Sequence, residues 1–225
     1  MAEQKKKVGI MGSAFDPLHV GHVAMTHIAL NETPLDEIWL VPCPIRYDKT
    51  PNTTDSIRLK MCQVMSEDLK SKGFPVSYSD VELKFSEFMG TYYLLKHLTH
   101  IHSNCSFTLI MGEDSWNSLH TWKNPSTEQQ TGQQLLNEFD TVIFPRKQSK
   151  IITTHSLTSN RSLFMKPLNN YDNLTKLDIN KEKAFEVSST LIRQLCKDKS
   201  YDHLKSYLPE CILNFVIENN LYGEK

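Results

Sequence analysis

The chain has 225 residues, 39% of them hydrophobic, with 25 Lys and Arg against 26 Asp and Glu for a formal net charge of -1. That length suits one α/β domain with a substantial core. The near-cancelling charge excludes a bulk attraction to nucleic acid or anionic lipid, so any phosphate must be held by a local site.

The segments alternate in character along the chain. "KVGIMG" (7–12) is a short β-rich run, and "GHVAMTHIALNE" (21–32) carries a helix. "DEIWLVPC" (36–43) is a second strand closed by Pro42 and Pro44. "TTDSIRLKMCQVMSEDLKSKG" (53–73) reads as a helix, with Thr54 or Asp55 as cap and Leu59, Cys62, Val64, Met65 and Leu69 as apolar face. Gly73 can end it. "PVSYSDVEL" (75–83) fits a strand, "TYYLLKHLTHI" (91–101) a helix, and "CSFTLIMG" (105–112) and "FDTVIFP" (139–145) two further strands. Segments 124–134 and 146–162 read as irregular. A short β run is expected to reach Val187, and helical character to begin at about 188. Pro209 can open a last helix with an apolar stripe of Ile212, Phe215 and Val216, stopped by Asn219, Asn220 and Gly223.

Alternation of strands and helices predicts βαβ units: an α/β, Rossmann-like fold with a mainly parallel sheet and helices on both faces, in a single domain over 1–225. Such sheets bind ligands outside the carboxyl ends of their strands, where the strand order reverses. Gly12 and Gly112 both stand at such ends. The five cysteines (Cys43, Cys62, Cys105, Cys196, Cys211) are scattered and lack a C-x-x-C spacing. They predict reduced thiols in a cytoplasmic or nuclear, intracellular protein, without a zinc cluster. No window approaches the roughly 18 apolar residues of a membrane span, and "MAEQKKKVGIMG" lacks the apolar stretch of a signal peptide.

Two stretches carry the chemistry. In "GSAFDPLHVGH" (12–22), Gly12 after a strand permits a tight turn or close ligand approach. "HVGH" then opens a helix whose N-terminal amides attract anions. His19 and His22 lie about one turn apart on one helix face, where both imidazoles can donate to phosphate oxygens. Gly21, lacking a Cβ, is expected to let a ligand approach the backbone. In "FEVSSTLIRQL" (185–195), Ser188, Ser189 and Thr190 stand where a helix begins, and Arg193 follows one turn on as a charge-assisted donor. Read alone, each has an ordinary alternative: paired surface histidines or half a metal site, and a Ser/Thr cap beside a solvated arginine.

Together, "GSAFDPLHVGH" and "VSSTLIR" resemble the H-x-G-H and I-S-S-T-x-x-R signatures of the α/β nucleotidyltransferase superfamily. The whole chain is similar to the nicotinate/nicotinamide mononucleotide adenylyltransferases, with "DEIWLVPC", "DSIRLKM", "GTYYLLKHL", "LIMGEDSWNSLHTWKN" and "YLPECILNFVIENNLYG" in the expected order. The resemblance implies that His19, His22 and Arg193 act on the ATP phosphates. It assigns Gly12, Ser13, Phe15, Gly21, Ser188, Ser189 and Thr190 to ATP binding, with Gly112 and Asp114 as a G-x-D element near the adenosine ribose. Trp122 matches a tryptophan that stacks on the pyridine ring, and Thr91 a threonine close to it. Ser13 stands where many bacterial relatives have a second glycine, and "CPIRYDKT" replaces their P-P-H-K run. Lys49 is the candidate for the mononucleotide phosphate, with Arg46 as competitor.

The implied reaction transfers AMP from ATP to nicotinate or nicotinamide mononucleotide, giving the dinucleotide and pyrophosphate in NAD biosynthesis. Mg2+ is expected to arrive with ATP, since it binds through phosphate oxygens and waters with few carboxylates. The expected partners are ATP and a pyridine mononucleotide, with no nucleic acid and no membrane; a homo-oligomer is left open. Alternatives are another small-acceptor enzyme such as phosphopantetheine adenylyltransferase, a cytidylyltransferase, or a nucleotide-binding regulator without turnover. The choice between acid and amide substrate stays open at this level.

Overall fold

The structure is a computed structural model, and it describes residues 4–44, 51–85, 88–124, 126–145, 160–171, 174, 177 and 179–223. Its six strands among those residues form one sheet in the order β3-β2-β1-β4-β5-β6. They are β1 (Lys6–Ser13), β2 (Glu37–Pro42), β3 (Val76–Tyr78), β4 (Cys105–Gly112), β5 (Asp140–Phe144) and β6 (Ser162–Phe164). Every pairing is parallel. β1 is flanked by β2 on one side and β4 on the other, so strand order reverses between β1 and β4.

The strands are apolar on both faces because both faces are covered, the pattern expected of parallel sheets. Met11, Ile38, Leu40, Ile110, Val142 and Phe144 belong to one core. Their sequence neighbours Ile10, Val41, Leu109, Met111 and Ile143 belong to the other. α1 (Val20–Glu32) and α2 (Asp55–Ser71) pack on the first face, while α3 (Thr91–Ile101), α4 (Glu113–Ser118) and α5 (Gly132–Glu138) pack on the second. α6 (Lys181–Glu186), α7 (Ser189–Lys197), α8 (Tyr201–Leu204) and α9 (Glu210–Glu218) contribute Ala184, Ile192, Leu204 and Ile212 to the first core.

Several local outcomes follow from single residues. Thr54 caps α2, its side chain accepting from the Ile57 amide at 3.4 Å, and Gly73 at φ 86° follows its end. Within α2 the buried side chains are Arg58, Met61, Cys62, Met65, Ser66 and Leu69, so Leu59 and Val64 lie at the margin of the expected stripe. Pro209 stands at the cap position of α9 rather than inside its first turn.

Three expectations are corrected. The run 75–83 is a strand only over Val76–Tyr78 and then a 3-10 turn over Val81–Lys84. The run before Ser188 is α6, not a strand: the Asn180 side chain accepts from the Lys183 amide at 3.0 Å and starts a helix there. Part of the segments read as irregular is ordered, since α5 begins at Gly132 and β6 adds an edge strand at Ser162. Residues 146–159 lie outside the described residues.

Candidate active site

The loop between β1 and α1 lies where β1 leaves the sheet beside β4, at the reversal of strand order. Among the described residues, a Cβ placed on Gly112 would meet nothing within 4 Å, and one on Gly12 only the Val41 carbonyl at 4.0 Å. Both strand ends therefore leave room for a ligand to approach the backbone.

His19 is the cap residue of α1, and its main-chain N–H donates to Nδ1 of His22 at 3.2 Å. The two imidazoles stack with centroids 3.8 Å apart and planes 29° from parallel. Phe15 meets the His22 ring edge-on at 5.1 Å. Phe15 is only 1% exposed and sits at φ 49°. A bulky residue in the left-handed region marks a loop over-determined by its surroundings. Phe15 thus backs His22 from within the core.

The loop is tied down from three distant parts of the chain. Asp16, 3% exposed, accepts from the Asn52 main-chain N–H at 2.5 Å, the Asn52 side chain at 3.3 Å, the Thr53 hydroxyl at 2.7 Å and the Tyr222 hydroxyl at 2.9 Å. Arg58 is wholly buried in α2. Its guanidinium donates to the carbonyls of Ala14 at 2.8 Å and Cys43 at 2.6 Å, and to Asp55 at 2.5 Å. It thereby joins the chain beyond β1 to the chain beyond β2. Buried charge of this kind is tolerated only when such partners are present.

From the far end, α7 delivers the second stretch to the same loop. The Ser188 hydroxyl caps α7 by accepting from the Leu191 amide at 3.2 Å. Ser189 donates to the Pro17 carbonyl at 3.0 Å, and Arg193 donates to the Asp16 carbonyl at 2.7 Å and the Thr190 hydroxyl at 3.1 Å. The N-termini of α1 and α7 therefore share one neighbourhood with an imidazole pair and a guanidinium. Two dipole ends and a fixed positive charge at one place form an anion site.

The expected residues divide as follows. His19, His22, Ser188, Ser189, Thr190 and Arg193 are assembled around the loop, with Gly12 and Ser13 at the strand end that feeds it. Ser13 is held in place by its carbonyl, which accepts from the Cys43 amide at 2.9 Å. Asp114 is exposed in the first turn of α4, two positions after Gly112. Thr91 opens α3 behind Gly90, whose position at φ 85° would place a Cβ 3.6 Å from the Lys123 carbonyl. That approach sets Thr91 close to the strip containing Trp122, half-buried with its indole N–H donating to Ser118 at 3.3 Å. Gly21 departs from its expected reason. A Cβ there would meet the Ala184 carbonyl and Val187 at 3.0 Å and the His19 ring at 3.1 Å. Its hydrogen atom is needed by the chain's own packing. Lys49 and its competitor Arg46 lie outside the described residues.

Sequence reasoning missed Asp16, Arg58, Asn52, Thr53 and Tyr222. "DP" reads as a turn, and no local pattern announces a carboxylate whose partners come from 36 to 206 positions away. Among the described residues there is no cluster of three or more His, Cys, Asp or Glu side chains that could hold a metal ion, and no helix long and apolar enough to cross a membrane.

A parallel sheet of this order, with two helix N-termini at its reversal, defines a class of α/β proteins suited to phosphate-bearing ligands, and the comparisons narrow it to the nucleotidyltransferases. The cytidylyltransferase-like family model matches residues 10–195, and the chain belongs to that family. Within it, the chain falls among the nicotinate-nucleotide adenylyltransferases. A Fusobacterium nucleatum protein named "Probable nicotinate-nucleotide adenylyltransferase" is 31% identical over 194 residues, 85% of this chain and 95% of its own. One of the same name from Flavobacterium psychrophilum is 28% identical over 218 residues, 96% of this chain and 98% of its own. Among solved structures, the Plasmodium falciparum nicotinic acid mononucleotide adenylyltransferase complexed with NaAD superposes with a TM-score of 0.75 at 24% identity, covering 96% of this chain and 97% of that one. That likeness establishes the shared fold.

Proposed function

We propose that the chain transfers AMP from ATP to nicotinate mononucleotide, giving the dinucleotide and pyrophosphate in NAD biosynthesis. The observation that carries this reading is the seating of Arg193 on the Asp16 carbonyl, beside the loop that enters His19 and His22. The names of the relatives favour the acid over the amide acceptor.

The 5′-phosphate of the mononucleotide attacks the α-phosphorus of ATP. A new P–O bond forms there, the bond from the α-phosphorus to the bridging oxygen breaks, and pyrophosphate leaves with the electron pair. A phosphate monoester is already anionic near neutral pH, so no general base is required. Catalysis is then positioning and charge stabilisation. His19, His22 and Arg193 donate to the triphosphate as negative charge moves toward the leaving group, and the Ser188–Thr190 amides with the Ser188 and Thr190 hydroxyls complete the cradle, the Ser189 hydroxyl being held by the Pro17 carbonyl. Asp114 accepts from ribose hydroxyls beside Gly112. Trp122 stacks on the pyridine ring, Thr91 borders it, and Lys49 meets the mononucleotide phosphate. Mg2+ enters as part of the MgATP substrate, bound to phosphate oxygens and water. One domain over the chain and a cytoplasmic location complete the reading, the bacterial relatives favouring cytoplasm over nucleus.

Pyrophosphate release with ATP and, in turn, nicotinate mononucleotide, nicotinamide mononucleotide and phosphopantetheine tests it. The highest kcat/KM is expected with nicotinate mononucleotide. Preference for phosphopantetheine, or no release with any acceptor, would refute the assignment.

A further inference from the structure

After α9 the chain turns twice into the left-handed region, at Asn220 (φ 46°) and Tyr222 (φ 65°). An aromatic residue at positive φ is an outlier that persists only where other contacts hold it. Tyr222 is held by Asp16: its hydroxyl donates to Oδ1 at 2.9 Å, across 206 positions of chain. The ring is half-buried, and Asp16 itself is 3% exposed. The same Oδ1 accepts from Thr53 at 2.7 Å, while Oδ2 takes both donors of Asn52. The main-chain carbonyl of Asp16 then holds Arg193 at 2.7 Å, and its neighbour Phe15 abuts His22. A displaced Asp16 would therefore move two groups that face the triphosphate.

We propose that Tyr222 is a positioning residue for adenylyl transfer: its hydroxyl fixes Asp16, and the Asp16 main chain sets Arg193 and the His19–His22 loop against the phosphates of ATP. The proposal rests on the adenylyl-transfer reading. The mononucleotide side, built around Thr91 and Trp122, lies on other elements. Loss of the hydroxyl should therefore act on kcat and spare the mononucleotide KM. Removing one anchor of a preorganised site costs rate more than it costs ground-state binding.

The test is a double-mutant cycle of Tyr222→Phe, Asp16→Asn and the pair. Turnover is measured by pyrophosphate release per folded molecule, and folding by far-ultraviolet circular dichroism. Tyr222→Phe is expected to lower kcat about 10-fold with the mononucleotide KM within twofold. The double variant should lose less than the product of the single losses, because both changes break one connection. Thr53→Val, which removes the other donor to Oδ1, should give a similar loss and keeps the test open if one variant folds poorly. A folded Tyr222→Phe at wild-type kcat would overturn the proposal, as would multiplicative losses. Absence of turnover by the wild-type chain with either pyridine mononucleotide would instead sink the adenylyl-transfer reading, and the positioning role with it.

Discussion

Replacing Gly21 by Ala separates packing from catalysis, because the new Cβ has nowhere free to go. It would stand 3.0 Å from the Ala184 carbonyl oxygen, 3.0 Å from Val187 Cγ1 and 3.1 Å from His19 Cε1. Each neighbour must retreat by a few tenths of an ångström to reach ordinary contact. The carbonyl can move only with the backbone of α6, which leads into Ser188. The imidazole can move only within its 3.8 Å stack on His22. Overpacking of this kind costs about 1–3 kcal/mol, while Ala in place of a helical Gly returns about 1 and a buried methyl about 0.8. The net change in stability should therefore lie within about 1 kcal/mol of wild type. Catalysis has no such compensation. Misplacement by 1 Å can cost about 10²-fold, so shifts of a few tenths at both halves of the phosphate site should cost about 10-fold in kcat. Urea unfolding and steady-state pyrophosphate release on the same preparation decide the matter. A Gly21→Ala protein with wild-type kcat would show that the His19 ring and the 184–187 segment do not set the geometry of the reaction.

Three further outcomes follow from the same site. His22→Ala should fold yet lose about 10²-fold in kcat, as when a preorganised donor to developing charge is removed; turnover near wild type would remove His22 from the phosphate contacts. Trp122→Ala should raise the mononucleotide KM with ATP binding unchanged, and calorimetric titration with a non-hydrolysable ATP analogue would expose a misplaced stacking role if ATP affinity fell instead. Stability should decline above about pH 10, the range in which exposed tyrosines ionise. Burial and the Asp16 carboxylate push the Tyr222 hydroxyl up, and the Glu138 bond lifts Tyr92 to about 12. Groups raised in the folded state contribute fully below their unfolded pKa and lose that contribution as pH rises. Tyr222→Phe should flatten the alkaline slope of urea stability, and parallel slopes would refute the assignment.

What could be read from the sequence was local. β4 spans Cys105–Gly112 as expected, because its apolar run is bounded by polar Asn104 and Gly112. β1 and α1 are recognisable from a strand, a glycine and a turn in succession. β6 is not legible in the sequence, because three residues at a sheet edge carry no periodicity of their own. α6 was obscured by Phe185-Glu186-Val187, whose alternation imitates a strand, although Asn180 before Lys-Glu-Lys-Ala is a fair cap signal. At the site, the residue types suited to phosphate are legible in His19, His22 and Arg193, which the fold gathers around one loop. The supports behind them are not, since Asp16, Arg58 and Tyr222 acquire meaning only from partners that folding brings together. Gly21 shows the same limit: the missing Cβ is legible, but what crowds its position, Ala184, Val187 and the His19 ring, is set by the fold.

The ties on residues 16 and 17 also govern when the protein becomes competent. Ser189 reaches back 172 positions, Arg193 177 and Tyr222 206. During synthesis, the early half of the sheet can form while the proposed phosphate cradle still lacks its closing members. Nucleotide affinity should emerge only once residues 189–222 have left the ribosome, so a truncated or stalled chain would not sequester ATP. For the finished chain, ligand bound at such a junction stabilises both ends at once, and its effect should spread over the cooperative unfolding of the whole molecule.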